Sequence, residues 1–342
     1  MTNFYNKEQE QEFRHIISNQ YRCTDVIGEK LGGKILSVSD EWFAAAENLI
    51  KPNIPIRDAT RFTHSGAWYD GWETRRHNES DYDWVIIKMG VNAAQIVGGE
   101  IDTAFFNGNH APCVSIEGLY IDPNEDKLII SEKDPRWVTL IDKFECSPSQ
   151  NHCFIRGDGL TEEPYTHIKL KMYPDGGIAR FRLYGKVIPP TSLNNQENII
   201  DLAYVGNGGV ALDVSDEHFG CADNLLLPGR GHDMSDGWET KRSRELNHSD
   251  WAIIQLGHMS NYINKIIIDT AHYRGNFPQY ITVQGSNGHS SAEGEWIELV
   301  SKSKTGPDKI HEFTVDKNIN IDHVKLTIIP DGGVKRLRVL GN

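Results

Sequence analysis

Two seven-residue segments, Asp70-Gly71-Trp72-Glu73-Thr74-Arg75-Arg76 and Asp236-Gly237-Trp238-Glu239-Thr240-Lys241-Arg242, agree at six positions. Behind a glycine and an aromatic, each puts an acid, a hydroxyl and two cations in consecutive positions. A carboxylate placed against a substrate can take or give a proton. An arginine fork binds a carboxylate or a ureido oxygen through parallel N–H groups. The bland alternative is an Arg–Glu pair that pins a loop. Adjacent cations kept twice in a chain of net charge -13 favour a binding site. β alternation would turn Glu73 and Arg75 to one face, and Thr74 and Arg76 to the other. Gly71 and Gly237 read as bends or positive-φ positions.

A second repeated constellation is Ile101-Asp102-Thr103-Ala104, returning as Ile268-Asp269-Thr270-Ala271. Gly108-Asn109 and Gly275-Asn276 follow closely. An apolar strand ending in an acid, a hydroxyl and an amide can display ligand groups. It can equally be a turn in which Asp102 and Asn109 cap backbone amides. Arg180/Arg182 and Arg336/Arg338 share a strand face and read as solvated or structurally paired arginines. Asp175 and Asp331, in Pro-Asp-Gly-Gly, read as turn residues. No His-Glu-x-x-His, Cys-x-x-Cys, nucleophile elbow, P-loop or dinucleotide fingerprint is present. No cofactor or tightly held metal is expected. A loosely bound divalent ion at clustered carboxylates stays open.

These residues must be held by a fold that occurs twice. Val38-Ser39-Asp40-Glu41 returns as Val214 to Glu217, and Pro174-Asp175-Gly176-Gly177 as Pro330 to Gly333. Matches in the same order along 342 residues make an internal duplication with a period far above that of a solenoid unit. The expected organisation is an N-terminal extension over 1–31, one repeat over 32–187, a Pro- and Asn-rich linker over 188–200 and a second repeat over 201–342. Insertions distinguish the copies, one before Asp70 and one around Pro123 to Pro148.

Trp84 to Met89, Trp251 to Leu256, Ile263 to Asp269 and Tyr280 to Gln284 read as strands. His167 to Met172 and His323 to Ile328 alternate polar and apolar, then meet Pro-Asp-Gly-Gly, which suggests a hairpin into Ile178 to Gly185 and Val334 to Gly341. Helical patterns are few: Glu8 to Ile17, and turns near Glu41 to Asn48 and Glu217 to Asn224. The fold class is all-β, a tandem repeat of two antiparallel jelly-roll β-sandwiches. The closing strands resemble the last strand of galactose-binding-like jelly rolls. Negative charge argues against nucleic acid or an anionic membrane, and no apolar run approaches the roughly 18 residues of a membrane span. The N-terminal residues lack the apolar stretch of a secretory signal. Five cysteines, none at equivalent positions in both copies, suggest reduced thiols and a cytoplasmic protein.

Taken together, Gly71-Trp72-Glu73-Thr74-Arg75-Arg76, Asp83-Trp84-Val85-Ile86-Ile87, Ile101 to Asn109, Val114-Ser115-Ile116-Glu117-Gly118 and their counterparts in the second half resemble the allantoicases. The resemblance spans nearly the whole chain. It implies a tandem jelly roll that hydrolyses allantoate to ureidoglycolate and urea in purine breakdown. On that footing Arg75, Arg76, Lys241 and Arg242 are expected to hold the substrate anion. Glu73, Glu239, Asp102 and Asp269 are candidates for acid or base work, and His272 for proton donation in the second copy. Thr103, Asn109 and Asn276 are candidates for the ureido groups, and Arg274 is a further substrate-binding candidate. Departures between the copies are Lys241 for Arg75, Arg274 for Asn107 and His272 for Phe105. A homo-oligomer is the usual form of such a metabolic enzyme. The competing expectation is a non-catalytic tandem β-sandwich that binds a small sugar-like ligand, since fold does not settle function.

Overall fold

The computed structural model describes residues 1–342 except 78, 123–124, 126–129, 190–197 and 289–294. Most of the Pro- and Asn-rich stretch, and the start of the insertion at Pro123, lie outside the described residues. The chain divides into two units, Met1–Ile188 and Pro189–Asn342.

In the first unit, one antiparallel sheet has the order Thr2–Tyr5, Asn151–Arg156, Ala93–Asp102, Arg180–Ile188, Thr24–Asp25. The other has the order Val138–Glu145, Cys113–Leu119, His167–Tyr173, Asp83–Lys88, Lys34–Val38. Apolar residues from both sheets fill the space between them. Val85, Ile87, Val114, Ile116, Leu170, Ile101, Phe154 and Phe181 are fully buried or nearly so. Phe144 and Phe154, from opposite sheets, place their ring centroids 5.4 Å apart. Each buried side chain of this size contributes roughly 1.5–3 kcal/mol.

Residues 1–31 are woven into this unit. Thr2–Tyr5 pairs with Asn151–Arg156, and Thr24–Asp25 with Arg180–Ile188. Between them Asn6 caps a short helical segment, accepting from the Glu8 and Gln9 amides. The helix Glu10–His15 follows, and Phe13 and Ile17 lie against Val97, Cys153 and Ile155.

The second unit repeats the plan. One sheet has the order Ile200–Asp201, Arg336–Gly341, Tyr262–Asp269, Ile310–Asn318; the other has Val210–Val214, Asp250–Gln255, His323–Ile329, Tyr280–Ser286, Ile297–Lys304. Ile200–Asp201 is the counterpart of Thr24–Asp25, because each pairs with the closing strand of its unit. Among the described residues, the second unit has no counterpart of Thr2–Tyr5.

Pro-Asp-Gly-Gly does not close the hairpin that its sequence suggests. His167–Tyr173 and Arg180–Ile188 belong to different sheets, as do His323–Ile329 and Arg336–Gly341. After Gly176 (φ +143) and Gly332 (φ +128) the chain pairs instead with the repeated motif. Gly177–Ile178 pairs with Trp72–Glu73, and Gly333–Val334 with Trp238–Glu239. The turn is a corner between sheets, with Ile178 and Val334 buried in it. Both copies are thus jelly-roll sandwiches, and the motif segment is stitched to the corner where the chain changes sheet.

Candidate functional site

The motif strand lasts two residues, so the expected alternation stops at Glu73. Its backbone is tied to Gly177 on one side and to Ala44 on the other. Thr74 then turns inward: its amide donates to the Gly176 carbonyl, and its hydroxyl accepts from the Gly176 amide. Glu73 and Thr74 are both buried, while Arg75 and Arg76 are exposed. Gly71 and Gly237 do not have positive φ. They are needed because nothing larger fits. A Cβ on Gly71 would lie 2.5 Å from the Ile178 carbonyl oxygen, and one on Gly237 2.3 Å from the Tyr273 hydroxyl.

Asn109 Nδ2 donates to Glu73 Oε1 at 2.7 Å. Asn276 makes the same bond to Glu239 Oε1. The carboxylate of one motif and the amide of the other therefore meet in both copies. Burial raises the Glu73 pKa above the ordinary glutamate value, while the Asn109 hydrogen bond and the Arg76 charge oppose the rise. Arg76 is exposed, and its charge acts on Glu73. Arg75 is committed elsewhere. Its amide and Nε donate to Asp40 at 2.6 and 3.1 Å, and its guanidinium lies over the Trp42 ring. In the second copy the Lys241 amide makes the matching bond to Asp216, and Arg242 is exposed.

The other expected site residues separate from this group. Thr103 is fully buried, and its hydroxyl donates to the Ser147 and Gln150 carbonyls, so it cannot meet a ureido group. Thr270 does the same with Gly306 and Lys309. Asp102 caps the Ala104 amide at 2.8 Å and lines a separate cleft of about 400 Å³ that does not include Glu73. Asp269 caps Ala271 in the same way and is clasped by the Arg230 guanidinium at 2.7 and 2.9 Å. His272 and Phe105 occupy the same left-handed turn position, both at φ +69. The His272 amide is held by Asp308, which also lies 3.5 Å from Arg274.

Most of the repeated polar residues prove to be internal wiring. Asp70 pairs with Arg180 at 2.7 Å, and Asp236 with Arg336 at 2.9 Å. Ser39 bonds Asp83 and Ser215 bonds Asp250. Trp72 Nε1 donates to the Asp40 carbonyl and Trp238 Nε1 to that of Asp216. Asp175 and Asp331, the turn acids, accept from the His77 and Ser243 amides. Sequence reading missed the matched acids Asp25 and Asp201. Burial pushes each up to about 6, against the opposing charge of Arg182 or Arg338. Aligning the copies from residue 24 onward would have exposed them. It also missed Arg230 and the fully buried Lys335, which pairs with Asp236 where the first copy has Ala179. Neither has a counterpart that repetition could flag. Among the described residues, no group of three His, Cys, Asp or Glu side chains is placed to hold a metal ion.

The class defined by this architecture is a tandem jelly-roll protein that carries one Glu–Asn pair, flanked by an exposed arginine, in each repeat. The model of the allantoicase repeat matches residues 24–188 and 200–342. The allantoicase of Saccharomyces cerevisiae is 67% identical over 99% of both chains. That of Neurospora crassa is 52% identical over 92% of this chain and 90% of that protein. The crystal structure of the Saccharomyces cerevisiae allantoicase matches with a TM-score of 0.87 at 64% identity, covering both chains in full. The chain belongs to the allantoicase family.

Proposed function

We propose that this chain hydrolyses allantoate to (S)-ureidoglycolate and urea, in the breakdown of allantoin for nitrogen supply. The observation that carries the reading is the 67% identity to an allantoicase along 99% of both chains. The balanced step adds water across one bond between the central carbon and a ureido nitrogen. The hydroxyl goes to carbon, the proton to nitrogen, and urea leaves.

Glu73 is the group best suited to take the water proton. It is shielded, its pKa is raised by burial, and Asn109 fixes one oxygen and so aims the other. Arg76 supplies the charge for the substrate carboxylate. Glu239, Asn276 and Arg242 are the second set, with His272 and Arg274 nearby in sequence. A cytoplasmic homo-oligomer is the form we expect for such an enzyme.

The test is to incubate the purified protein with allantoate and follow urea and ureidoglycolate. Stoichiometric release is expected. Absence of release, with divalent ions present or removed, would overturn the reading. Glu73→Gln should lower kcat by ~10²–10⁴-fold, the usual contribution of a positioned general base.

A further inference from the structure

The two repeats treat one carboxylate differently. Asp102 and Asp269 end equivalent strands, each facing an arginine across the ladder (Asp102↔Arg180, Asp269↔Arg336). Both spend one oxygen on a backbone amide two residues on. In the second repeat Arg230 Nε and Nη2 then clasp the Asp269 carboxylate side by side. Among the described residues, the first repeat has no such clasp. The equivalent of Arg230 there is Ile54, because Lys51-Pro52-Asn53-Ile54 runs in step with Leu227-Pro228-Gly229-Arg230. The backbone confirms that register, since Arg182 Nη2 donates to the Lys51 carbonyl as Arg338 Nη2 does to that of Leu227. Ile54 is 82% exposed and sits on the wall of the cleft that Asp102 lines.

The charges around the cleft specify what could replace the missing guanidinium. Arg180 is paired with Asp70, Arg182 lies 3.7 Å from Asp25, and Arg14 bonds both Glu10 and Glu100. Three arginines (Arg14, Arg180, Arg182) and three carboxylates (Glu10, Glu100, Asp102) line the cleft, and each of those arginines already meets a carboxylate other than Asp102. Asp102 is thus left with no ion-pair partner within 4 Å among the described residues, and its carboxylate favours a cation beside it. Asn151, opposite Asp102 in the ladder, gives its Nδ2 to Glu100 and leaves a buried Oδ1 without a hydrogen-bond partner. The cleft thus offers a carboxylate edge to a ligand rich in N–H groups.

We propose that the first repeat binds a small planar cation of the guanidinium or amidinium type at Asp102, in the place that the second repeat fills with its own Arg230. The ligand differs in charge from allantoate, and Glu73 does not line the cleft. Binding is read without turnover, so its failure is distinct from failure of the proposed reaction.

The full-length protein is titrated with methylguanidinium, at concentrations well below those that denature, and with urea as the neutral isostere, by calorimetry and ligand-observed NMR. One equivalent of methylguanidinium per chain is expected, with urea at least ten-fold weaker. Ile54→Arg installs the sister repeat's own residue at an exposed position and should abolish binding while leaving thermal unfolding unchanged. Asp102→Asn should weaken binding at least ten-fold. Arg230→Ile, in a folded variant, should bind a second equivalent. Equal binding of urea, or undiminished binding by Ile54→Arg, overturns the proposal, as does an absence of binding by the wild-type chain.

Discussion

At the scale of single residues, Glu73 is the residue on which the proposed chemistry turns. A base must be ionised to accept a proton, and burial raises the Glu73 pKa. The sign follows directly. Activity should fall as pH drops through that raised value, so the acid limb of kcat/KM should lie above the range of an exposed glutamate. Arg76 opposes the rise. Arg76→Ala should therefore move the acid limb to higher pH. It should also raise KM, or lower kcat/KM, by one to two decades, at about 1.4 kcal/mol per decade. A pH–rate profile of the two proteins checks both effects. An unmoved limb would detach Arg76 from Glu73.

At the scale of elements, the repeated motif is a pin as much as a site. Its first residue, Asp70, holds Arg180 of the closing strand, with side-chain exposures of 9% and 4%. Arg180 also donates to the Asn53, Asp70 and Ala179 carbonyls. Asn48 holds the Gly71 carbonyl from the other side. These bonds fix where Glu73 emerges. Removing one partner of a buried pair leaves the other charge uncompensated, which costs about 3–5 kcal/mol. Arg180→Ala should lose stability of that order in denaturant titration, whereas Arg76→Ala should change it little. Equal and small losses from both would show that the pin is not structural.

At the scale of the whole molecule, the two copies share a plan but not a finish. Glu73 is 7% exposed, whereas Glu239 is only half-buried. Asp102 opens onto a cleft, whereas Asp269 is closed by Arg230. Glu73→Gln should therefore reduce turnover of allantoate more than Glu239→Gln, and the double variant should show whether the remainder belongs to the second copy. Equal losses would make the copies equivalent in catalysis. Turnover before and after EDTA treatment tests whether a divalent ion takes part. Loss of turnover that added divalent ions restore would point to a metal.

What the sequence determined by itself was whatever depends on local pattern or on repetition. Alternation and turn residues were enough for an all-β fold, and identity between Asp70–Arg76 and Asp236–Arg242 was enough for two copies. Glu73 and Asn109, found in separate motifs, could be flagged because each returned in the second half. Repetition could not separate wiring from chemistry, since both preserve polar residues. Only the tertiary structure showed that Asp70, Ser39, Thr103 and Asp175 spend their polar atoms inside the protein, while Glu73 and Asn109 meet each other. Only it showed that Pro-Asp-Gly-Gly turns a corner between sheets, because strand partners come from segments distant in the chain. Arg230 on Asp269 is the clearest case: 39 residues separate the two, and no local pattern encodes a contact that chain folding alone brings together.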